Sequence, residues 1–147
     1  MARRLTKELT ELRKAPLDWC QCGPVDDNIM HWSAMMVGPD NSPYAGGVFQ
    51  LDIEMSPEYP FKAPKVKFLT RIYHPNIRTE GGEICADILN DNWGPTLNLS
   101  HVLNTLRQML LEPSAESPLE PDIARQLAED KAQFLKTAAK YTADFAS

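Results

Sequence analysis

Cys85 stands in the run Ile84-Cys85-Ala86-Asp87-Ile88-Leu89, downstream of His74-Pro75-Asn76. Both lie in a stretch from 70 to 98 that holds two Pro, three Gly and four Asn. Few apolar positions there repeat with a helix or strand period, so a long loop is expected, and long loops inside small domains are commonly functional. A lone cysteine is more often a small buried hydrophobe than a nucleophile. A turn-rich segment favours the nucleophile, because it keeps a thiol near the surface. Two chemistries are then open. A thiol hydrolase pairs Cys with His to lower the thiol pKa, and His74 and His101 are available. The sequence neighbours Glu83, Asp87 and Asp91 instead disfavour a thiolate. Cys85 is therefore expected to keep a pKa near the free value of about 8.5. Such a thiol is a poor attacker of amides. It is an adequate acceptor for an already activated acyl group, and its thioester stays reactive toward amines.

The elements that must position this loop follow from periodicity. Residues 2–14 read as an amphipathic helix with Leu5, Leu9 and Leu12 on one stripe, Arg3, Arg4, Lys7, Glu8, Glu11 and Arg13 on the other faces, and Pro16 ending it. A meander follows. A weak first strand lies around Cys22 to Val25, and a second at His31 to Val37 with Trp32, Ala34 and Met36 on one face. The cleanest strand is Val48 to Met55, where Phe49, Leu51, Ile53 and Met55 alternate with Gln50, Asp52 and Glu54. Lys65 to Leu69 is a short fourth. After the loop, Asn98 can cap a helix with Val102, Leu103, Leu106 and Leu110 on its stripe. Pro121 opens another, with Ile123, Ala124 and Leu127 inward. A last helix from Lys131 carries Phe134, Ala138, Tyr141 and Phe145 on one face. The expected fold class is α+β, an antiparallel sheet with helices on one face and at its ends.

The 147 residues, 43% hydrophobic and 24% charged, suit one domain with one core spanning 1–147. The net charge of -5 argues against binding nucleic acid, which needs a surplus of Lys and Arg. No apolar run approaches the roughly 18 residues of a spanning helix, so no membrane role is expected. The charged start is unlike a secretory signal. Three cysteines, Cys20, Cys22 and Cys85, fit a reducing compartment. Cys20 and Cys22 would need two further ligands to hold a metal, and the His are scattered, so no metal site is expected.

His74-Pro75-Asn76 followed by Ile84-Cys85-Ala86-Asp87-Ile88-Leu89 resembles the active-site signature of ubiquitin-conjugating enzymes. So do Gly23-Pro24, Tyr44-x-Gly46-Gly47-x-Phe49, Tyr59-Pro60-Phe61-Lys62-x-Pro64-Lys65-Val66, Trp93-x-Pro95 and Pro118-Leu119. Each motif is moderately specific; together and in order, from about residue 4 to the end, they are highly so. The resemblance implies a ubiquitin-conjugating-enzyme-like fold: an N-terminal helix, a four-stranded antiparallel meander, a long active-site loop, then three helices. It is nearest the broad-acting, core-only members that work with RING and HECT ligases. The acidic balance and short active-site loop are closer to the ubiquitin branch than to the SUMO branch.

The resemblance also implies roles. Cys85 would take the carboxyl terminus of ubiquitin from an activating enzyme by thioester exchange, then pass it to a substrate lysine or a ligase cysteine. Asn76 would assist the lysine attack, by donating to the developing oxyanion or by holding the loop through backbone hydrogen bonds. His74 is read mainly as structural. With a pKa of about 10.4, only about one lysine in 2,500 is neutral at pH 7. Asp87, at the acidic gate position, would place the amine and accept its proton, while desolvation in a channel lined by Tyr73 and Ser117 lowers the lysine pKa. Arg4, Phe61 and Pro95 match ligase-facing positions, and Arg3 and Lys7 the region that meets the activating enzyme. Asn104 and Gln108 fall where the folded-back ubiquitin rests. Partners would be ubiquitin, the activating enzyme, RING, U-box or HECT ligases and substrate lysines. No cofactor is implied, since ATP is used upstream, and the expected location is cytoplasmic and nuclear.

Departures from the family pattern touch the control of discharge. Ser117 stands where close relatives often carry Asp, and the loop from Asn76 to Cys85 is one residue longer, with Gly81-Gly82 inside. Asn104 and Gln108 replace a leucine and a small residue, Gly94 a serine in the ligase-facing loop, and Gln21 the serine of the backside ubiquitin patch.

Overall fold

The computed structural model describes residues 2–147 apart from Cys85, Asn92 and Ser117, and apart from the side chains of Ala86 and Asp87. The predicted alternation builds the sheet. Strands β1 (Cys20–Val25), β2 (Asn28–Val37), β3 (Val48–Glu54) and β4 (Lys65–Phe68) pair antiparallel in the order β1-β2-β3-β4. Asp26 and Asp27, both with positive φ (51° and 61°), form the two-residue turn between β1 and β2, the primed geometry that matches strand twist. The register sets Trp32 opposite Ile53, Ala34 opposite Leu51 and Met36 opposite Phe49, with Val66 and Phe68 next to Ile53 and Leu51. All eight side chains are buried on one face, because the side-chain period of a strand is two. The opposite face carries His31, Asp52, Glu54, Lys65 and Lys67 with Met35 and Val48.

Helices cover the buried face. They are α1 (Ala2–Lys14), the short α2 (Ala86–Asn90), α3 (Leu99–Leu111), α4 (Pro121–Glu129) and α5 (Lys131–Phe145). The stripe of α3, Leu99, Val102, Leu103, Leu106 and Leu110, is fully buried in the same cluster as the strand residues. Asn98 caps α3 as expected, its side-chain oxygen accepting from His101 N–H at 3.0 Å.

Three expectations are corrected. Helix α2 interrupts the 70–98 stretch, so that stretch is not one loop. In α5 the buried face is Phe134, Ala138 and Thr142, whereas Tyr141 is half-buried and Phe145 is 50% exposed. The face turns because Thr142 Oγ1 donates to Pro43 O (3.2 Å) and Ala138 O (2.9 Å), docking the helix on the β2–β3 connection. Glu8, assigned to an outer face of α1, is buried instead.

Glu8 is held by polar partners on three elements. Its carboxylate accepts from Tyr59 O–H (2.7 and 2.9 Å) in the β3–β4 connection and from Leu99 N–H (2.7 Å) at the start of α3. Arg4 Nε, one turn earlier on α1, donates at 3.3 Å. A negative charge at the α3 N-terminus also meets the positive end of that helix. Replacing Glu8 would leave the Tyr59 hydroxyl and a helix-end amide without their acceptor. Glu8→Ala should therefore lower the unfolding free energy in urea by about 2–4 kcal/mol. A loss below about 0.5 kcal/mol, typical of a surface glutamate, would contradict this placement.

Candidate active site

The segment His74-Pro75-Asn76 is held by hydrogen bonds from its imidazole, from Pro75 O and from the Asn76 amide. His74 is fully buried. Its Nε2–H donates to Met109 O in α3 (2.8 Å), and Nδ1 accepts from Asn76 N–H (3.0 Å). One nitrogen donates and the other accepts, so the ring is the neutral Nε2–H tautomer. Burial pushes its pKa down to about 4, although the bond to Met109 works the other way. Pro75 O accepts from both Leu119 N–H (2.9 Å) and Glu120 N–H (3.1 Å). Asn76 is buried, with its amide bracketing the α3–α4 connection: Nδ2 donates to Glu116 O and Oδ1 accepts from Ser114 N–H, each at 3.3 Å.

Beyond Asn76 the chain makes a small antiparallel excursion. Ile77 bridges Ile84, Arg78 N–H donates to Glu83 O (2.9 Å), and Gly82 N–H donates to Arg78 O (3.1 Å). The excursion is stitched to the edge of β4 by the Lys67–Glu83 bridge and by Phe68 N–H donating to Gly82 O at 2.9 Å. Gly82 has φ +78°, and a Cβ there would lie 1.8 Å from Phe68 O, so only glycine allows this approach. The chain is thus anchored at Ile84 on one side of position 85 and at buried Leu89 of α2 on the other. Cys85, Ser117 and the Asp87 side chain, all named from the sequence, lie outside the described residues.

The other two thiols are poor nucleophiles. Cys20 and Cys22 lie on the inward face of β1, opposite Met36 and Ala34. Burial pushes Cys22 up to about 11 and Cys20 up to about 12, the latter helped by its neighbour Cys22. Both are thiols rather than thiolates at neutral pH. His74 cannot serve as a base, because both ring nitrogens are occupied and burial opposes its protonation. His101 sits on the exposed face of α3, 3.4 Å from Thr105 Oγ1. Among the described residues, no group of three or more His, Cys, Asp or Glu could hold a metal ion.

The remaining predicted residues fall into separate regions. Arg4, Phe61 and Pro95 converge at one end of the molecule. Arg4 Nη2 donates to Leu97 O (2.5 Å) and its guanidinium lies over Tyr59 at 5.6 Å. Trp93 Nε1–H donates to Pro60 O (2.7 Å), tying the loop that carries Pro95 to the loop that carries Phe61. Phe61 itself is 74% exposed. Arg3 and Lys7 are exposed on α1, and Asn104 and Gln108 are exposed one turn apart on α3. Tyr73 faces the last two helices. Its hydroxyl donates to Gln126 Oε1 (2.7 Å), and its ring packs near Phe134 and Tyr141.

The sequence reading missed Glu120, whose Oε2 accepts from Thr79 N–H at 2.9 Å. A signal was present: Glu120 occupies the N-cap position of α4, where Ser, Thr, Asp or Asn is usual. It also missed Gln126, which nothing in the helical pattern distinguishes.

With this geometry in place, comparison with known proteins gives a consistent result. The family model described as ubiquitin-conjugating enzyme matches residues 4–142. A Dictyostelium discoideum protein named ubiquitin conjugating enzyme E2 B is 45% identical over 144 residues, covering 98% of this chain and 97% of that protein. A solved Toxoplasma gondii ubiquitin conjugating enzyme E2 domain superposes with a TM-score of 0.90 at 36% identity, covering 99% of this chain and 98% of that one. A Plasmodium yoelii chain, solved as a candidate ubiquitin conjugating enzyme, gives 0.91 at 35% identity, covering 98% and 94%.

The buried imidazole makes a pH prediction. In the unfolded chain His74 would bind a proton near pH 6.5; in the folded chain it does so only near about 4. Between those values the unfolded state holds the extra proton, so stability is level above about pH 6.5 and falls as the pH drops toward 4. The loss from this group is on the order of 3 kcal/mol. In an NMR titration the His74 ring should keep its neutral Nε2–H signature below pH 5. A midpoint near 6.5 would contradict it.

Proposed function

The chain belongs to the ubiquitin-conjugating enzyme family, transferases that act through a cysteine thioester, and from that premise we propose that Cys85 is the carrier cysteine. One observation supports this choice most: the other two thiols, Cys20 and Cys22, are held on the inward face of β1 with raised pKa values. The anchored flanks of position 85 add to it.

In loading, Cys85 gives its thiol proton to water and its sulfur attacks the carbonyl of a ubiquitin thioester on the activating enzyme. The new C–S bond forms, the old one breaks, and the activating enzyme's cysteine leaves as thiolate. In discharge, a neutral lysine amine attacks the Cys85 thioester. A C–N bond forms, the C–S bond breaks, Cys85 leaves as thiolate, and Asp87 accepts the amine proton. When a ligase cysteine is the acceptor, the thioester exchange of the loading step repeats.

Asn76 has two tasks in this reading. Its Oδ1 and one N–H hold the 114–116 backbone. The amide nitrogen carries a second N–H, which would donate to the oxyanion of the discharge step. Tyr73 acts from further away, as a strut between the loop and α4, and the family resemblance would give Ser117 a place beside the incoming lysine. The convergence of Arg4, Phe61 and Pro95 suits a RING, U-box or HECT ligase, with exposed Phe61 as anchor. Exposed Arg3 and Lys7 would meet the activating enzyme, and Asn104 and Gln108 the donor ubiquitin. No cofactor is required, since the acyl group arrives activated. A free carrier thiol suits the reducing cytoplasm and nucleus.

Incubation with activating enzyme, ATP and ubiquitin should give an adduct that thiol reagents cleave. Cys85→Ala should abolish it, and an adduct that survives in this variant would move the site to another cysteine. Asn76→Ala should slow discharge to free lysine by about 100-fold or more, while loading falls far less. Equal losses in both steps would reduce Asn76 to its loop-holding contacts.

A further inference from the structure

Residues 75–79 run beside two described pieces of the α3–α4 connection, 114–116 and 118–120. Asn76 and Pro75 supply four of the bonds between them. A fifth has no part in the mechanism above: Thr79 N–H donates to Glu120 Oε2 at 2.9 Å.

Glu120 is placed to do something else and does not do it. It is the N-cap residue of α4, with φ -121° and ψ 89°, yet its side chain makes no capping bond. It reaches away from its own helix end to the opposite strip. Its backbone N–H points the same way, donating to Pro75 O at 3.1 Å. One residue therefore grips the 75–79 strip at both ends, at Pro75 by its backbone and at Thr79 by its carboxylate.

The grip falls where the loop needs it. Between the Ile77–Ile84 bridge and its tip, the excursion is built from Gly81 and Gly82, both with positive φ. Glycine adds backbone freedom there. The far side of the same tip is tied by Arg71 to Glu80, but that pair is solvent-exposed and contributes little. The Glu120–Thr79 bond is partly buried and has a charged acceptor, which makes it the stronger tie.

We propose that Glu120 is a positioning residue for lysine discharge. It touches no reacting atom and acts by fixing the strip that carries Asn76, from Pro75 to Thr79, to the start of α4. The proposal rests on the thioester-transfer reading above. Discharge is the sensitive step, because a free lysine brings no protein surface of its own to align it, and small misplacements of reacting groups are costly in rate. Loading brings two thiols together across a protein interface that supplies its own alignment.

The test uses Glu120→Ala and Glu120→Gln in the full chain. Glutamine keeps a carbonyl oxygen that can accept the Thr79 N–H, without the charge. Discharge of preloaded thioester to saturating free lysine should slow about tenfold in Glu120→Ala, with loading changed by less than about twofold. Glu120→Gln should recover discharge to within about twofold of the parent. The Thr79 amide should exchange with solvent about tenfold faster or more in the alanine variant. The proposal is overturned if Glu120→Ala discharges normally, if glutamine is no better than alanine, or if Thr79 exchange is unchanged. It is also overturned if loading and discharge fall together with thermal stability. A parent chain that forms no thioester sinks the transfer reading as well, so the two failures are distinguishable.

Discussion

The imidazole of His74 lies out of contact with solvent and is hydrogen-bonded at both nitrogens, to Met109 O of α3 and to the amide of Asn76. A buried ring of this kind is costly unless both nitrogens are satisfied. Here the satisfaction is reciprocal. The ring's N–H meets one of the orphan carbonyls in the last turn of α3, and its lone pair meets a loop amide that has no strand partner. The geometry of Asn76 follows directly, because its backbone is held from two residues away. From there the order spreads through Pro75 O and the Asn76 amide to the α3–α4 connection, and through Ile77 to the excursion stitched on β4. From His74 to Ile84 the described backbone is irregular but is nearly as determined as a strand.

Glu8 does the same work at the opposite end. One carboxylate joins α1, the Tyr59 connection and the first residue of α3. Arg4, paired with it, reaches Leu97 O, so the loop carrying Pro95 is referred to the same anchor. The exposed Phe61 is therefore presented on a rigid base. Helix α3 connects the two anchors, with Glu8 at its N-terminal end and His74 at its C-terminal end. A displacement of α3 would be felt at both the loops proposed to meet a ligase and the loop proposed to carry the active site.

The two faces of the molecule differ in how much the chain's own chemistry constrains them. At the active-site loop the described backbone is held from both flanks, by Glu120 at Thr79 and by β4 at Gly82. The exposed face of α3 is polar where the folded-back ubiquitin is proposed to rest, with the Asn104 side chain donating within its own helix to Ser100 O. Positions that hold the site are committed; positions that would meet a partner are free to vary without disturbing the fold.

Much of this was legible in the amino-acid order. Strict alternation in Val48–Glu54 determined which face of the sheet is buried, because a strand's side-chain period admits no other choice. The i, i+3, i+4 stripe of α3 did the same for the central helix. The motif order around His74 and Cys85 determined the family, because several moderate signals at fixed separations compound. Periodicity says nothing about where a polar side chain finds its partner. Glu8 sits among surface charges in the pattern of α1, and only the arrival of Tyr59 and Leu99, 51 and 91 residues away in the chain, turns it inward. Thr142 displaces Phe145 from the buried face of α5 because the β2–β3 connection offers it Pro43 O. Glu120 reads as a weak helix cap until the fold brings Thr79 within 2.9 Å. Apolar placement is a local, periodic property that the sequence alone determines. Polar placement depends on partners distant in the chain, and only the tertiary structure decides it.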